Sequence, residues 1–265
     1  MPKFATNISM MYQEHSFLDR YDAAARDGFK GVEAMSVYDF PATQIKERLT
    51  RNSLTQVLFN CAHGDLAKGE RGIGAAPGRE DDFKRSIEQA LDYQEVLGNR
   101  RMHVMAGIMV PGQSREAHRA TYVKNLTWAA QQIGGRDLIL VIEPINLRDI
   151  PGFFLNRQDE AHAICAEVAV AVGSVRVMVQ MDFYHCQIVE GDLAMKFRQY
   201  FKGVGHIQIA GVPERHEPDL GEINHPYLFK LIDELGYEGW VSGEYRPKGK
   251  TSDGLAWFAP YRSAQ

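Results

Sequence analysis

The chain has 265 residues, 45% of them hydrophobic and 24% charged, and its 30 basic and 34 acidic residues give a net charge of −4. That length fits one large α/β domain, and the mixed charges provide no basic block for binding a nucleic acid or a membrane. Three cysteines without a CxxC pair, and the lack of a signal-peptide-like or long apolar stretch, predict a cytoplasmic protein.

Short apolar, strand-like runs alternate along the chain with longer segments of helix-like spacing. The runs lie near 3–8, 30–35, 54–60, 101–106, 137–143, 175–182, 203–209 and 239–244. Helix-like spacing of apolar residues is clear in 17–25, 83–91 and 228–235. Eight strand–helix alternations predict an α/β fold, a single (β/α)8 TIM barrel formed by one domain of residues 1–265.

A doubly wound sheet is the alternative fold, and it would place a Gly-rich turn after the first strand. The sequence there is NISMMYQEH, which has no glycine. The glycine-rich stretch GERGIGAAPG follows the third strand and lacks the GxGxxG spacing. The barrel is therefore favoured, and the long segment 61–78 that contains this stretch is interpreted as a lid or binding loop.

Polar residues end every predicted strand, at the face where barrels of this kind carry their active sites. In chain order they are Asn7, Glu33, Asn60, His103, Glu143, Asp182, Gln208 and Glu244. Three carboxylates and one amide oxygen on four successive strands would repel each other without a cation. Because all-oxygen ligands suit Mg²⁺ or Mn²⁺ better than Zn²⁺, we predict such a metal site at Glu143, Asp182, Gln208 and Glu244.

Each of these four residues also has a purely structural interpretation. Glu143 and Asp182 can cap the elements that follow them, Gln208 can be a hydrogen-bonded strand residue, and Glu244 can pair with Arg246. Four such coincidences at four successive strand ends are less plausible than one metal site.

Further residues are candidates for binding a substrate. His185, three residues after Asp182, can hydrogen-bond a substrate oxygen, although a packed loop histidine is the alternative. Arg215 can pair with an anionic substrate group, or it is a solvated loop arginine. Asn7, at the end of the first strand, and Glu70, in the segment 61–78, complete the set.

The chain resembles hydroxypyruvate isomerase and 2-oxo-tetronate isomerase, within the xylose-isomerase-like barrels. The resemblance runs from FATNISMMYQEHSFLDR to GLAWFAPY, which is nearly the whole chain. Its most specific stretches are GDLAKGERGI, PGRE at 77–80, IEPIN at 142–146, PGFFL at 151–155, MDFYH at 181–185, HIQIAGVPERHEP at 206–218, GEIN at 221–224 and GEYRP at 243–247.

The resemblance implies the same four metal ligands, with Glu143 and Glu244 as the acid/base pair. Related ketose 3-epimerases have a substrate-contacting histidine and arginine that match His185 and Arg215. They have a histidine ligand where this chain has Gln208, which favours the isomerases. The chain departs from the isomerase pattern in VEAMSVYDF on the second strand, in CAHGD with Leu66 after it, and in the residues just before Glu244, and we expect these changes to line the pocket.

The implied reaction interconverts hydroxypyruvate and tartronate semialdehyde (2-hydroxy-3-oxopropanoate) by metal-assisted proton transfer through an enediolate. Within the same class, 2-oxo-tetronate isomerase and ketose 3-epimerase are alternatives. A metal-dependent endonuclease or hydrolase and a non-catalytic binding barrel are alternatives from other classes. The expected partner is a small hydroxy-keto acid or sugar, with no nucleic acid and no membrane, and a homo-oligomer is left open.

Overall fold

The computed structural model describes residues 1–264, and its eight parallel strands close into one barrel. The strands are β1 (Lys3–Asn7), β2 (Gly31–Ala34), β3 (Thr55–Asn60), β4 (Arg101–His103), β5 (Ile139–Ile142), β6 (Val177–Asp182), β7 (Val204–Ile209) and β8 (Trp240–Gly243). Each strand pairs in parallel with the next along the chain, and β8 pairs with β1 to close the barrel. The predicted (β/α)8 TIM barrel is confirmed.

Helices connect the strands and cover the outside of the barrel. They are α1 (Asp19–Arg26), α2 (Ala42–Arg51), α3 (Glu80–Leu97), α4 (Arg115–Gln132), α5 (Gln158–Val172), α6 (Phe183–Val189), α7 (Leu193–Tyr200) and α8 (His225–Glu234). Four short 3₁₀ segments also lie in the described chain, at Leu66–Lys68, Phe201–Gly203, Thr251–Trp257 and Ala259–Ala264. Among the described residues, no helix combines the length and the apolar character needed to cross a membrane.

Helix α3 shows why the periodicity of the sequence was informative. Its first turn carries the acidic residues 80–82, which favour a helix N-terminus. Its buried positions fall on the predicted apolar face, from Phe83 to Leu91. The helix ends at Gly98, whose φ of 77° is the left-handed conformation that glycine adopts without strain.

The segment 61–78 has more structure than a long open connection. Asp65 caps the 3₁₀ turn at Leu66–Lys68 by accepting from two backbone N–H groups. Further on, the backbone N–H of Gly74 donates to Met105 and that of Ala75 donates to Ala106. These contacts also explain why β4 is shorter than the predicted run 101–106. Val104 still bonds to Val141 of β5, but Met105 and Ala106 pair with this loop.

The alternation of side chains along each strand places the polar residues inside the barrel. On β6, Gln180 and Asp182 face inward, whereas Val179 and Met181 pack in the apolar core between strands and helices. On β7, Gln208 faces inward in the same way. Below this polar layer, a small apolar cluster fills the barrel with Ala5, Val57, Leu58 and Val141.

Candidate active site

The barrel mouth gathers buried acidic side chains from four strands. Glu33 belongs to β2, Glu143 follows β5, Asp182 ends β6 and Glu244 follows β8, and none is more than 6% exposed. Charges removed from water to this degree need partners or protons to remain in the folded protein. The structure brings together the three predicted carboxylate ligands and adds Glu33.

Arg215 provides positive charge to this cluster. Its Nη2 lies 2.5 Å from Oε2 of Glu244 and 3.5 Å from Oδ2 of Asp182, and its Nη1 lies 3.5 Å from Oδ2 of Asp149. The guanidinium also stacks 4.9 Å from the ring centre of Tyr184. Arg215 is therefore a buried part of the site and not a solvated loop residue. Burial lowers the pKa of Arg215, but the surrounding carboxylates outweigh that effect and raise it.

Three of the four carboxyl groups at the mouth, those of Glu143, Asp182 and Glu244, bind protons more tightly than usual. Burial, followed by repulsion from Glu244 and Asp182, raises the pKa of Glu143 well above its ordinary value. Burial also raises the pKa of Glu244 to about 8, and that of Asp182 to about 6. Groups that titrate near neutral pH suit general acid–base catalysis, because they can both accept and donate a proton there.

Two carboxylate oxygens of this cluster provide a test of whether a cation fits. Oε1 of Glu143 and Oδ2 of Asp182 are buried, and neither has a hydrogen-bond partner within the described chain. Together with His185 they form a group whose ligand atoms all lie within 4.8 Å of one another. Buried carboxylate oxygens that accept no hydrogen bond and lie this close together fit a divalent cation, which would satisfy both.

The hydrogen bonds of His185 define which ring nitrogen carries its proton. Oδ1 of Asn146 accepts from the backbone N–H of Asp149 at 2.8 Å, so Nδ2 of Asn146 faces Nδ1 of His185, 2.6 Å away. Nδ1 therefore accepts a hydrogen bond, and Nε2 carries the hydrogen. Nε2 lies 3.8 Å from Glu143 and 3.6 Å from Asp182. This tautomer makes His185 a hydrogen-bond donor at Nε2, and its contact with a substrate stays a prediction.

Replacing Asn146 with Asp tests this assignment. The new carboxylate would accept from Nδ1 of His185 and so move the hydrogen away from Nε2. We expect kcat to fall about 10- to 100-fold, the range seen when a residue that orients a site histidine is lost. Steady-state kinetics of Asn146→Asp measure the effect, and Asn156→Asp, outside the site, is the control. An unchanged kcat in Asn146→Asp would show that the tautomer of His185 is not needed.

The predicted ligand Gln208 is held by hydrogen bonds at both ends of its amide. Its Nε2 donates to Oε1 of Glu33 at 2.6 Å, and its Oε1 accepts from Nε2 of Gln180 at 2.7 Å. The carbonyl oxygen has two lone pairs, and Gln180 uses one of them. The other accepts no hydrogen bond within the described chain.

Asn7, predicted to bind substrate, connects two of the glutamates. Its Nδ2 donates to Oε1 of Glu33 at 3.0 Å and to Oε1 of Glu244 at 2.7 Å, while its Oδ1 accepts from the backbone of Ser9. The amide is thus occupied by protein contacts, and these contacts position Glu244.

Glu70, also predicted to bind substrate, lies in the loop after β3. Its Oε1 is 2.5 Å from Nη1 of Arg79, and its Oε2 accepts from the backbone of Asp65 at 2.6 Å. These contacts hold the loop to the start of α3. Its part in substrate binding stays a prediction.

Three buried residues belong to the mouth although the sequence assigned them no role. Oε2 of Glu33 lies 2.7 Å from Nε2 of His206. Burial opposes the ionisation of Glu33, but His206 and the hydrogen bond from Gln208 lower the pKa of Glu33 below its ordinary value. Nε2 of His103 lies 3.7 Å from Oε2 of Glu143, and burial lowers the pKa of His103 to about 3. Glu33 and His103 were visible as polar strand ends, but their partners were not.

The departures from the isomerase pattern fall in different environments. Ala34 and Val37 pack in the apolar core and not in a pocket, whereas Leu66 is exposed. His63 is buried, with its Nε2 3.2 Å from the amide nitrogen of Asn60. The expectation that these residues line the pocket is therefore wrong for Ala34 and Val37, because their side chains are buried in the apolar core.

A cavity of about 670 Å³ opens beside Arg215 at this face of the barrel. Its walls include Met10, Met35, Arg246 and Lys250. A smaller cavity of about 310 Å³ lies near the opposite ends of the strands, and the mouth carboxylates line neither cavity. The larger cavity thus combines space and positive charge next to the cluster.

Known proteins resemble this chain over nearly its full length. A family model described as xylose isomerase-like TIM barrel matches residues 21–261. A 2-oxo-tetronate isomerase of Cupriavidus necator is 56% identical, over 98% of this chain and 99% of its own. A hydroxypyruvate isomerase of Escherichia coli is 42% identical, over 99% of this chain and 100% of its own. A crystal structure from Brucella melitensis, named AP endonuclease, family 2, is 45% identical with a TM-score of 0.95 and covers 99% of this chain and 100% of its own.

Proposed function

Because the chain belongs to the hydroxypyruvate and 2-oxo-tetronate isomerases within the xylose isomerase-like TIM barrels, we propose that it isomerises a short 2-oxo acid. The reaction moves the carbonyl group from C2 to C3. The observation that carries the proposal is the pair Glu143 and Glu244, two buried glutamates with raised pKa values at one barrel mouth.

Glu143 and Glu244 act as the acid/base pair in this proposal. One removes the proton from C3 of the substrate, and the other returns a proton to C2. The hydroxyl oxygen at C3 loses its proton and the oxygen at C2 gains one, so that the carbonyl group moves from C2 to C3. A divalent cation, Mg²⁺ or Mn²⁺, held by these two residues with Asp182 and Gln208, would polarise the substrate carbonyl and stabilise negative charge on its oxygens.

The neighbouring residues bind and orient the substrate. His185 donates its Nε2–H to a substrate oxygen, and Arg215 attracts the negatively charged end of the molecule. Arg246 and Lys250 add positive charge to the wall of the adjoining cavity. The pKa of His103 is lowered by burial, so its neutral imidazole lies beside Glu143 without adding positive charge.

Two acids share this chemistry and differ only in the group attached to C3. Hydroxypyruvate has hydrogen there, and 2-oxo-tetronate has a fourth carbon with a hydroxyl group. The Cupriavidus necator relative, 56% identical, is named for the four-carbon acid, and the Escherichia coli relative, 42% identical, is named for hydroxypyruvate. We therefore place 2-oxo-tetronate first and keep hydroxypyruvate as the second candidate. A ketose 3-epimerase, which moves a proton on a single carbon, is the third.

Nucleic-acid hydrolysis, suggested by the name of the Brucella structure, is a weaker alternative. A phosphodiester backbone is bound by a surface rich in basic residues. This chain has a net charge of −4, and its buried site arginine is paired with carboxylates. The proposed partner is therefore a small acid, and the three buried, unpaired cysteines fit an enzyme of the reducing cytoplasm.

Proton NMR in D₂O tests the function directly. The enzyme with Mn²⁺ or Mg²⁺ receives 2-oxo-tetronate, hydroxypyruvate or a ketohexose in separate samples. We expect deuterium at C2 of a new isomer from one or both acids, with the faster acid identifying the substrate. Turnover of the ketohexose alone would assign an epimerase, and no reaction with any of the three would reject the proposal.

A further inference from the structure

The orientation of the Gln208 amide decides whether this residue can bind a cation. A carbonyl oxygen has lone pairs for a metal ion, whereas an amide NH₂ group has only donors. Reversing the amide would place its oxygen against the Glu33 carboxylate, 2.6 Å away, and its NH₂ against the NH₂ of Gln180. The Gln180 contact can adapt, because Oε1 of Gln180 has no hydrogen-bond partner among the described residues and its amide can turn. The contact with the Glu33 carboxylate would be repulsive, so Glu33 is the neighbour that enforces the observed orientation.

Glu33 is itself fixed as an acceptor. Asn7 and Gln208 both donate to its Oε1, and Nε2 of His206 lies 2.7 Å from its Oε2. The side chain has no exposed surface, so water does not compete for these oxygens. Three N–H groups converging on two carboxylate oxygens prevent Glu33 from turning away from Gln208.

We propose that Glu33 is a positioning residue that holds the Gln208 amide with its oxygen available to a bound divalent cation. Glu33 acts through Gln208 and contacts neither cation nor substrate. Through Asn7, the same carboxylate is connected to Glu244, so one buried group aligns two of the proposed ligands. This inference rests on the proposed metal site and adds the residue that orders it.

Binding of Mn²⁺ without substrate tests the inference, with free Mn²⁺ measured from its electron paramagnetic resonance signal. In Glu33→Gln, the new amide can pair with Gln208 in either orientation, and we expect the Kd for Mn²⁺ to rise about tenfold or more. In the exchange variant E33Q/Q208E, the amide at position 33 donates to a carboxylate at position 208. Because a carboxylate has two equivalent oxygens and carries the charge that position 33 has lost, we expect the exchange to bind Mn²⁺ at least as tightly as the parent.

The control is Gln56→Met, which removes another buried polar group of the barrel. Gln56 lies on β3 and donates to the backbone oxygen of Leu58 at 2.8 Å, beside the cavity at the opposite end of the strands. We expect its Mn²⁺ affinity to match the parent. If Glu33→Gln does not fold, Glu33→Asp replaces it, because the shorter side chain keeps the charge but withdraws the acceptor.

The outcomes separate this inference from the proposed function. Parental affinity in a folded Glu33→Gln or Glu33→Asp would overturn the role of Glu33 and leave the metal site standing. An exchange variant that is folded but binds Mn²⁺ as weakly as Glu33→Gln would also overturn it, since the amide orientation would not be the cause. A parent protein that binds no Mn²⁺ would overturn both the metal site and this inference.

Discussion

Glu143→Gln and Glu244→Gln should each lose about 10²- to 10⁴-fold in kcat while the barrel stays folded. Glutamine preserves the size and one acceptor oxygen but cannot carry a proton between carbon atoms. The two variants should also differ in D₂O. The variant that lacks the base should lose both deuterium exchange at C3 and product, whereas the other should still exchange C3 without forming product. Proton NMR of each variant measures both.

The control for these variants is Glu190→Gln. Glu190 is also a buried glutamate, but its carboxylate accepts from the backbone of Gln158 and pairs with Lys196, outside the mouth. We expect it to keep parental turnover. Because Glu143 and Glu244 are also proposed ligands, Mn²⁺ binding is measured in each variant, so that loss of chemistry is not confused with loss of metal. Near-parental kcat in either one would reject the acid/base pair.

Strand periodicity made most of the site predictable. Parallel strands of a barrel present their carboxyl ends at one face, so a polar residue at the end of an apolar run is predicted to lie at the active-site face. That rule located Glu143, Asp182 and Glu244, and the structure buries all three at one mouth. Strand bounds were less accurate, as in β4, because pairing with a neighbouring loop leaves no mark in the periodicity.

The interactions among these residues were not predictable, because they join distant parts of the chain. Asn146 sets the tautomer of His185 from 39 positions away, and Glu33 reaches Gln208 from 175 positions away. Arg215 approaches Glu244 from a loop in which its own φ is 60°, a backbone conformation that its residue type does not suggest. A sequence pattern reveals which face a side chain occupies, but only the closed barrel reveals which side chains touch.

Removing the divalent cation should lower turnover sharply and make the stability of the protein fall as pH rises. The cation is proposed to contribute several kcal/mol to the transition state, so chelation should lower kcat by about a thousandfold or more. Without it, Glu244 has a folded-state pKa of about 8 against an ordinary 4.5, and Asp182 about 6 against 3.8. The folded state then holds protons that the unfolded chain releases. Stability is therefore greatest below the unfolded values and falls as pH rises through about 6 and then 8.

Bound cation should cancel this loss, because it stabilises the ionised carboxylates and releases their protons. At a concentration of Mn²⁺ about 100 times its Kd, we expect about 2.7 kcal/mol of added stability. Urea unfolding with EDTA or with Mn²⁺, at pH 5.5 and pH 8.5, measures the difference, which should be larger at pH 8.5. Asp182→Asn is the matched control, since it should lose most of the stabilisation by Mn²⁺. Equal unfolding free energies with and without Mn²⁺ at pH 8.5 would show that these carboxylates do not form a metal site, since a cation that binds only the folded state must stabilise it.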